Sequence, residues 1–463
     1  MADEDDRREE AAIGPAASPG RALQRRQVGL EQAGGLIGRG LDLAAELAAG
    51  GGLVPNGRPR FGAVSCGWMH ALSIGDDGSL WAWGDNGFAQ LGLGGCDRTL
   101  TPARVDTSGW AAVGADGECS IGLKKDGSLW YWGAGIEHPA TDIPRIYQTT
   151  LTQLGIERDW LAMSAGRGHS LALKEDGSLW SWGSRNYYGE LGDDGLIDHD
   201  LITDAELIAL FAARGAAEQL GIGNFWRVGV ASDWTAVNAG DSHSLALKRD
   251  GGLWTWGGNK SGQLGLGDRT ERRRPTRIGD EGEWAAVSTF GAHNLALKND
   301  GSLWAWGANG GRQLGCGDQV DRLEPTRVGE ASGWVAISAG VSHSLALKSD
   351  GSLWAWGNNR CGQLGLGDAA ERRAFTRIGG DCDWVAISSG WDSSLALKGD
   401  GSLWAWGRNH WGELGVGDRA ARLVPTRVCV LTESNSHSTL DAPGSPATGA
   451  APAGRLGSSD SDR

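Results

Sequence analysis

The chain has 463 residues, room for two or three ordinary domains or one long array, and it carries 77 glycines and 24 tryptophans against only 4 tyrosines and 6 phenylalanines. Glycine at that level without a collagen period means many turns, and tryptophan outnumbering the other aromatics means one motif copied many times. A net charge of −14 speaks against nucleic acid, whose phosphates are bound through a basic field, and no run approaches the roughly 20 apolar residues of a membrane-spanning helix.

The N-terminus reads MADEDDRREE. It lacks the basic start and apolar core of a secretory signal, so cytoplasmic residence is expected. Residues 1–52 run from this acidic stretch into an Ala/Gly-rich segment that reads as disordered or weakly helical, with a weak helix over Leu41–Ala49. Residues 431–463 are rich in Ser, Ala, Gly, Pro and Asp and read as a disordered tail.

Between these flanks an internal repeat governs everything. Asp-Gly-Ser/Gly-Leu-Trp begins at Asp77, Asp126, Asp176, Asp250, Asp300, Asp350 and Asp400, at intervals of 49, 50, 74, 50, 50 and 50. The long interval marks an insertion in the third copy, placed at about residues 194–224.

A clean copy shows how each unit is built. Trp334–Gly340 is a first strand, A, and His343-Ser344-Leu345-Ala346-Leu347-Lys348 a second, B. Asp350-Gly351 is a hairpin signal, Leu353-Trp354-Ala355-Trp356-Gly357 a third strand, C, and Phe375–Ile378 a fourth, D. In strand C the two tryptophans share one face, while Leu353 and Ala355 share the other. Both faces are apolar, so both must be covered, and stacked blades of a propeller do that. Each ring buries about 150–250 Å², an upper bound of about 4–6 kcal/mol at about 25 cal/mol/Å².

The seven copies are expected at 61–105, 110–146, 160–228, 234–278, 284–328, 334–378 and 384–428. The second lacks Gly-Gln-Leu-Gly and has Cys119 where most copies have His, which predicts a thin or irregular blade. For the ring to close, residues near Leu53–Gly67 and Thr426–Val430 must meet.

The strings Gly-x-x-His-Ser-Leu-Ala-Leu-Lys, Asp-Gly-Ser-Leu-Trp-Ala-Trp-Gly, Gly-Gln-Leu-Gly-x-Gly-Asp and Pro-Thr-Arg-Val together resemble the regulator of chromosome condensation repeat family, over roughly residues 61–428. The resemblance implies an all-β, seven-bladed β-propeller spanning residues 53–430, flanked by the two tails.

Recurrence inside the chain separates scaffold from function. His169-Ser170, His243-Ser244 and His343-Ser344 recur at one blade position, and neighbours on a strand point to opposite faces. They therefore read as strand ties, not as a base and nucleophile. Asp268, Asp318, Asp368 and Asp418 each precede an arginine by four and read as repeated ion pairs or turn caps. Lys174, Lys248, Lys298, Lys348 and Lys398 read as blade surface. The seven cysteines form no CxxC and share no repeat position, which gives neither a zinc site nor a disulfide framework. No catalytic, metal or cofactor site is expected, and the chain is read as a non-enzyme.

Function is sought where the copies differ. In an antiparallel blade the A–B and C–D loops leave on one face, and the near-invariant Asp-Gly turns on the other. The A–B loops contribute Trp68, Arg167 and Trp391, and the C–D tips Phe88, Tyr187, Tyr188, Lys260, Arg312, Arg360, His410 and Trp411. Binding energy concentrates in Trp, Tyr and Arg. This face is expected to hold another protein, with its centre on blades one and seven, which become neighbours on closure. Thr203–Ala213 in the insertion reads as a short amphipathic helix with Thr203 and Glu206 as a capping box. The expectation is a scaffold or adaptor. The resemblance also implies exchange-factor activity on a small Ran-like GTPase, which founder-like members perform with a β-type wedge where this insertion reads as helical. It further implies inhibition of another enzyme and, from Gly67-Trp68-Met69-His70, ultraviolet sensing.

Overall fold

In the computed structural model, the described residues are 60–107, 109–134, 147–183, 186–192, 225–280 and 282–429. They form seven four-stranded antiparallel sheets, each made of four strands consecutive in sequence. Blade six is typical, with A over Trp334–Ala339, B over His343–Lys348, C over Leu353–Gly357 and D over Arg372–Arg377. The A strand of every blade meets the A strand of the next, and that of blade seven meets that of blade one, so the A strands line the axis of a closed ring.

The alternation read in strand C decides the packing. Trp354 and Trp356 of blade six pack on Leu303 and Ala305 of blade five, while Leu353 and Ala355 pack on Trp384 and Trp406 of blade seven. The other seams repeat this exchange, with Tyr131 of blade two in the place of the small residue, and the closing seam sets Trp83 and Phe61 against Leu403, Ala405 and Val428. Phe61 and Val428 thus meet as closure requires. Gly357 ends strand C with φ +103°, and a Cβ there would lie 2.8 Å from the Ser342 carbonyl oxygen, so this bend is a glycine position for two reasons.

Backbone hydrogen bonds run around the ring with the same period. The amide of Trp384 donates to the Asp-Gly turn of blade six at Gly351 O (3.3 Å), and the amide of Phe61 does the same to Gly401 O of blade seven (3.1 Å). Gly367 N donates to Leu423 O, and Gly417 N to Leu100 O across the closing seam (2.8 and 2.9 Å). Among the described residues no strand is shared between the first and last copies. The ring closes because blade one presents to blade seven the surface that every blade presents to its predecessor.

Two expectations are corrected. Blade two is not thin: its D strand, Tyr147–Leu154, pairs along strand C from Leu129↔Leu154 to Ala134↔Tyr147. The missing Gly-Gln-Leu-Gly belongs to a loop, and strand pairing does not need it. Blade three is the thin one, with a D strand of two residues, Trp226–Arg227. The repeated lysines are also not plain surface. Lys348 Nζ lies 4.9 and 5.0 Å from the ring centres of Trp334 and Trp354, and Lys298 is only 8% exposed between Trp284 and Trp304. The aliphatic stem covers indole surface while the ammonium reaches the rim. The Asp–Arg pairs are as expected, each with a 2.7 Å contact, as in Asp368–Arg372. All seven cysteines are free. The amphipathic segment Thr203–Ala213, the helix at Leu41–Ala49 and the tail after residue 430 lie outside the described residues.

Candidate functional site

The repeated histidines show what the interior of the loop face is for. His343 Nε2 lies 3.0 Å from Ser394 Oγ of blade seven, and that hydroxyl donates to Gln363 O of blade six at 2.8 Å. The hydroxyl's one proton is thereby committed, so His343 must donate through Nε2. Trp406 Nε1 donates to the same carbonyl (2.8 Å). His70–Ser120, His169–Ser244 and His293–Ser344 repeat the tie at 2.8–3.0 Å, and His243 uses Asn294 Oδ1 at 2.7 Å. The histidines thus bind strand B to the next blade, in keeping with a structural role. Burial pushes their pKa down, to about 3 for His70, His293 and His343 and to about 4 for His243. A second ring proton would sit on a buried Nδ1 that has no acceptor in these four residues.

The seam between blades seven and one departs from this pattern. Ser393 stands at the histidine position and Ala71 at the serine position. Ser393 Oγ lies 3.3 Å from Cys66 Sγ, and burial pushes that thiol up to about 12. Above this plainer interior, in the A–B loops, Trp68 and Trp391 pack ring on ring at 4.8 Å with a 55° tilt. A guanidinium covers each: Arg167 over Trp68 at 4.3 Å and Arg408 over Trp391 at 4.8 Å. Arg167 pairs with Asp241 (3.2 Å). Arg408 donates to Trp68 O (2.8 Å) and pairs with Glu413 (3.1 Å), a carboxylate only 1% exposed. Glu413 Oε2 also accepts from Trp411 N (2.7 Å). One arginine therefore joins both tryptophans to the C–D loop of blade seven.

The other sequence-predicted residues divide. Trp411 lies under the guanidinium of Arg98 from blade one (4.9 Å). His410, Arg360, Lys260 and Tyr187 are exposed at their tips, and Lys260 donates to Tyr188 Oη (2.9 Å). Phe88 is half-buried on the tip of blade one. Arg312 is not a free tip residue. It occupies the glycine position of Gly-Gln-Leu-Gly with φ +63° and turns its mostly buried side chain to Glu371 of blade six (3.5 Å). The structure thus brings Trp68, Trp391 and Trp411 to one seam, where Arg167 reaches Trp68 from blade three, and leaves Tyr187, Tyr188, Lys260 and Arg360 on other blades away from it.

Sequence reasoning passed over Arg408, Glu413 and Arg98. A signal existed for the first. Arg408 precedes Asn409 where the clean copies have Gly258, Ala308 and Asn358, so only the last clean copy puts a cation there.

Comparison with known proteins fits this architecture. The chain is 29% identical to the ultraviolet-B receptor UVR8 of Arabidopsis thaliana over 225 residues, 47% of this chain and 46% of that protein. It thus spans less than half of that relative. Among solved structures, human WBSCR16 superposes with a TM-score of 0.63 at 22% identity, covering 76% of this chain and 95% of the other. Prp20p from Saccharomyces cerevisiae superposes with a TM-score of 0.60 at 20% identity, covering 73% and 82%. At those identities the likeness concerns the fold. Family models for the regulator of chromosome condensation (RCC1) repeat match residues 63–90 and 77–116, and the model of the RCC1-like domain matches residues 140–444. Most of the chain lies within that last match, and the chain belongs to the RCC1-like domain family.

Proposed function

We propose that this propeller is a protein-binding scaffold or adaptor that grips its partner through the A–B and C–D loop face, centred where blades seven and one meet. The observation that carries this reading is the Trp68–Trp391 pair with its two covering arginines. Aromatic and guanidinium groups held rigidly at a surface lose little entropy on binding and supply large contact areas. The pair stands above a seam that lacks the histidine tie and is held by apolar stacking and backbone bonds, so the ring does not depend on these two rings to close. Prp20p is described with binding to Gsp1p and histones, and a protein partner is the class of function this chain would share with it.

The test is quantitative affinity purification with the wild type and a Trp68→Ala/Trp391→Ala double variant. The variant should lose the specific partner while keeping its far-ultraviolet circular dichroism and its melting transition. An identical set of co-purifying proteins would overturn the reading. Nucleotide release from a small Ran-like GTPase separates the exchange-factor alternative: a scaffold leaves the release rate unchanged, and acceleration at substoichiometric amounts would replace the adaptor reading.

A further inference from the structure

We propose that the closing seam is a docking track for an extended, acidic segment of the partner protein, laid from the outer rim towards the ring axis. This rests on the adaptor reading above and adds the chemistry and the direction of the bound segment.

Three tryptophans and three arginines form one chain of contacts along the seam, bridged at one point by Glu413, with Arg167 reaching in from blade three. At the rim, Arg98 of blade one lies over Trp411 of blade seven. The backbone of Trp411 is tied through Glu413 to Arg408, which covers Trp391. Trp391 packs on Trp68, and Trp68 lies under Arg167 nearest the axis. All three indoles are half-buried, each with part of its surface open. Strand A is innermost and strand D outermost, so this order runs radially across the face.

Charge selects the occupant. The chain carries −14 overall, yet the outer end of the track is cationic. Arg419 donates to the backbone oxygen of His410, and Arg98 stacks on Trp411, and neither guanidinium meets a carboxylate among the described residues. The cations elsewhere on the track are compensated, Arg408 by Glu413 and Arg167 by Asp241. Of the acids nearby, Glu413 is buried, Asp392 is half-buried and held by Gln363 Nε2 (2.9 Å), Asp418 beside Arg419 is paired with Arg422 (2.7 Å), and Asp97 is exposed beside Arg98. A basic segment would meet two uncompensated guanidiniums at the rim. An acidic segment gains both, and its apolar side chains can lie on the indoles.

A random 12-residue peptide library displayed on phage, selected against the immobilised full chain, tests this. Selected peptides are then synthesised, labelled and titrated by fluorescence polarisation. The expected result is enrichment in Asp and Glu, affinity that falls with added salt, and at least about a tenfold loss on Arg98→Glu/Arg419→Glu. Both arginines are at the surface, so the variant should melt like the wild type. Selected peptides without an acidic excess, or affinities unchanged by the double reversal, overturn the proposal. Peptides lost on Trp68→Ala/Trp391→Ala but kept on Arg98→Glu/Arg419→Glu would leave the adaptor surface standing and reject its acidic specificity. Failure to select any peptide that the Arg98→Glu/Arg419→Glu variant loses would also count against it.

Discussion

The seam between blades six and seven and the seam between blades seven and one are built from the same strands but carry different side chains. Both bury a C-strand tryptophan whose Nε1 donates across the seam, Trp406 to Gln363 O and Trp83 to Glu413 O. Both have an A-strand serine accepting a backbone amide from the next blade, Ser338 from Ser389 and Ser388 from Cys66. Only the first has the histidine tie. The closing seam replaces it with a Ser393–Cys66 contact inside and places the aromatic–guanidinium pair outside. The difference teaches that apolar stacking and backbone ties are enough to close the ring, and that a seam holds without the histidine tie. Blade two makes the same point from another side. It has Cys119 at the histidine position and Gly114 at the tying-serine position, yet it holds four strands.

Acid should separate the two kinds of seam most strongly. The buried histidines at four seams have pKa values lowered from 6.5 to about 3 or 4 by burial. The unfolded chain therefore binds more protons below pH 6.5, and stability that is complete above that pH declines as pH falls towards the folded-state values. Each such imidazole contributes a slope of up to about 1.4 kcal/mol per pH unit. Hydrogen exchange during acidification should show the seams that contain histidine loosening before the closing seam. Simultaneous loss at all seams would erase the distinction.

The next effect comes from truncating the same position in two blades. His343→Ala removes a tie and opens a cavity, and should cost about 2–4 kcal/mol in denaturant titration. Ser393→Ala, its counterpart at the closing seam, should cost about 1 kcal/mol or less. Equal costs would mean that the seams do not differ energetically. The smallest effect is expected for Arg408→Lys. It keeps the charge but loses the planar fork that reaches Trp68 O and covers Trp391. Stability should change by less than about 1 kcal/mol, while the near-ultraviolet circular dichroism of the paired indoles changes clearly. An unaltered spectrum would show that Arg408 does not set the pair's geometry.

Much of this was readable in the chain itself. Tryptophan at alternate positions of strand C, with small residues between, dictates two apolar faces, and the Asp-Gly turns fix which loops share a side. The place of Trp68 beside Trp391 followed from counting copies. Arg312 was misread because a loop position does not reveal that its side chain turns into the adjoining blade. Arg408 was missed because its neighbours in space, Trp68 and Trp391, are respectively 340 and 17 residues away.

The sequence by itself determined the repeat, the strand alternation and the number of blades, because these depend on residues a few positions apart and on the need to cover both faces of each sheet. Only the tertiary structure decided how the ring closes, which side chains tie one blade to the next, and which odd residues become neighbours. Those contacts join positions about 50 or more than 300 residues apart. No local preference encodes such a meeting, and it exists only once every blade has stacked on its predecessor.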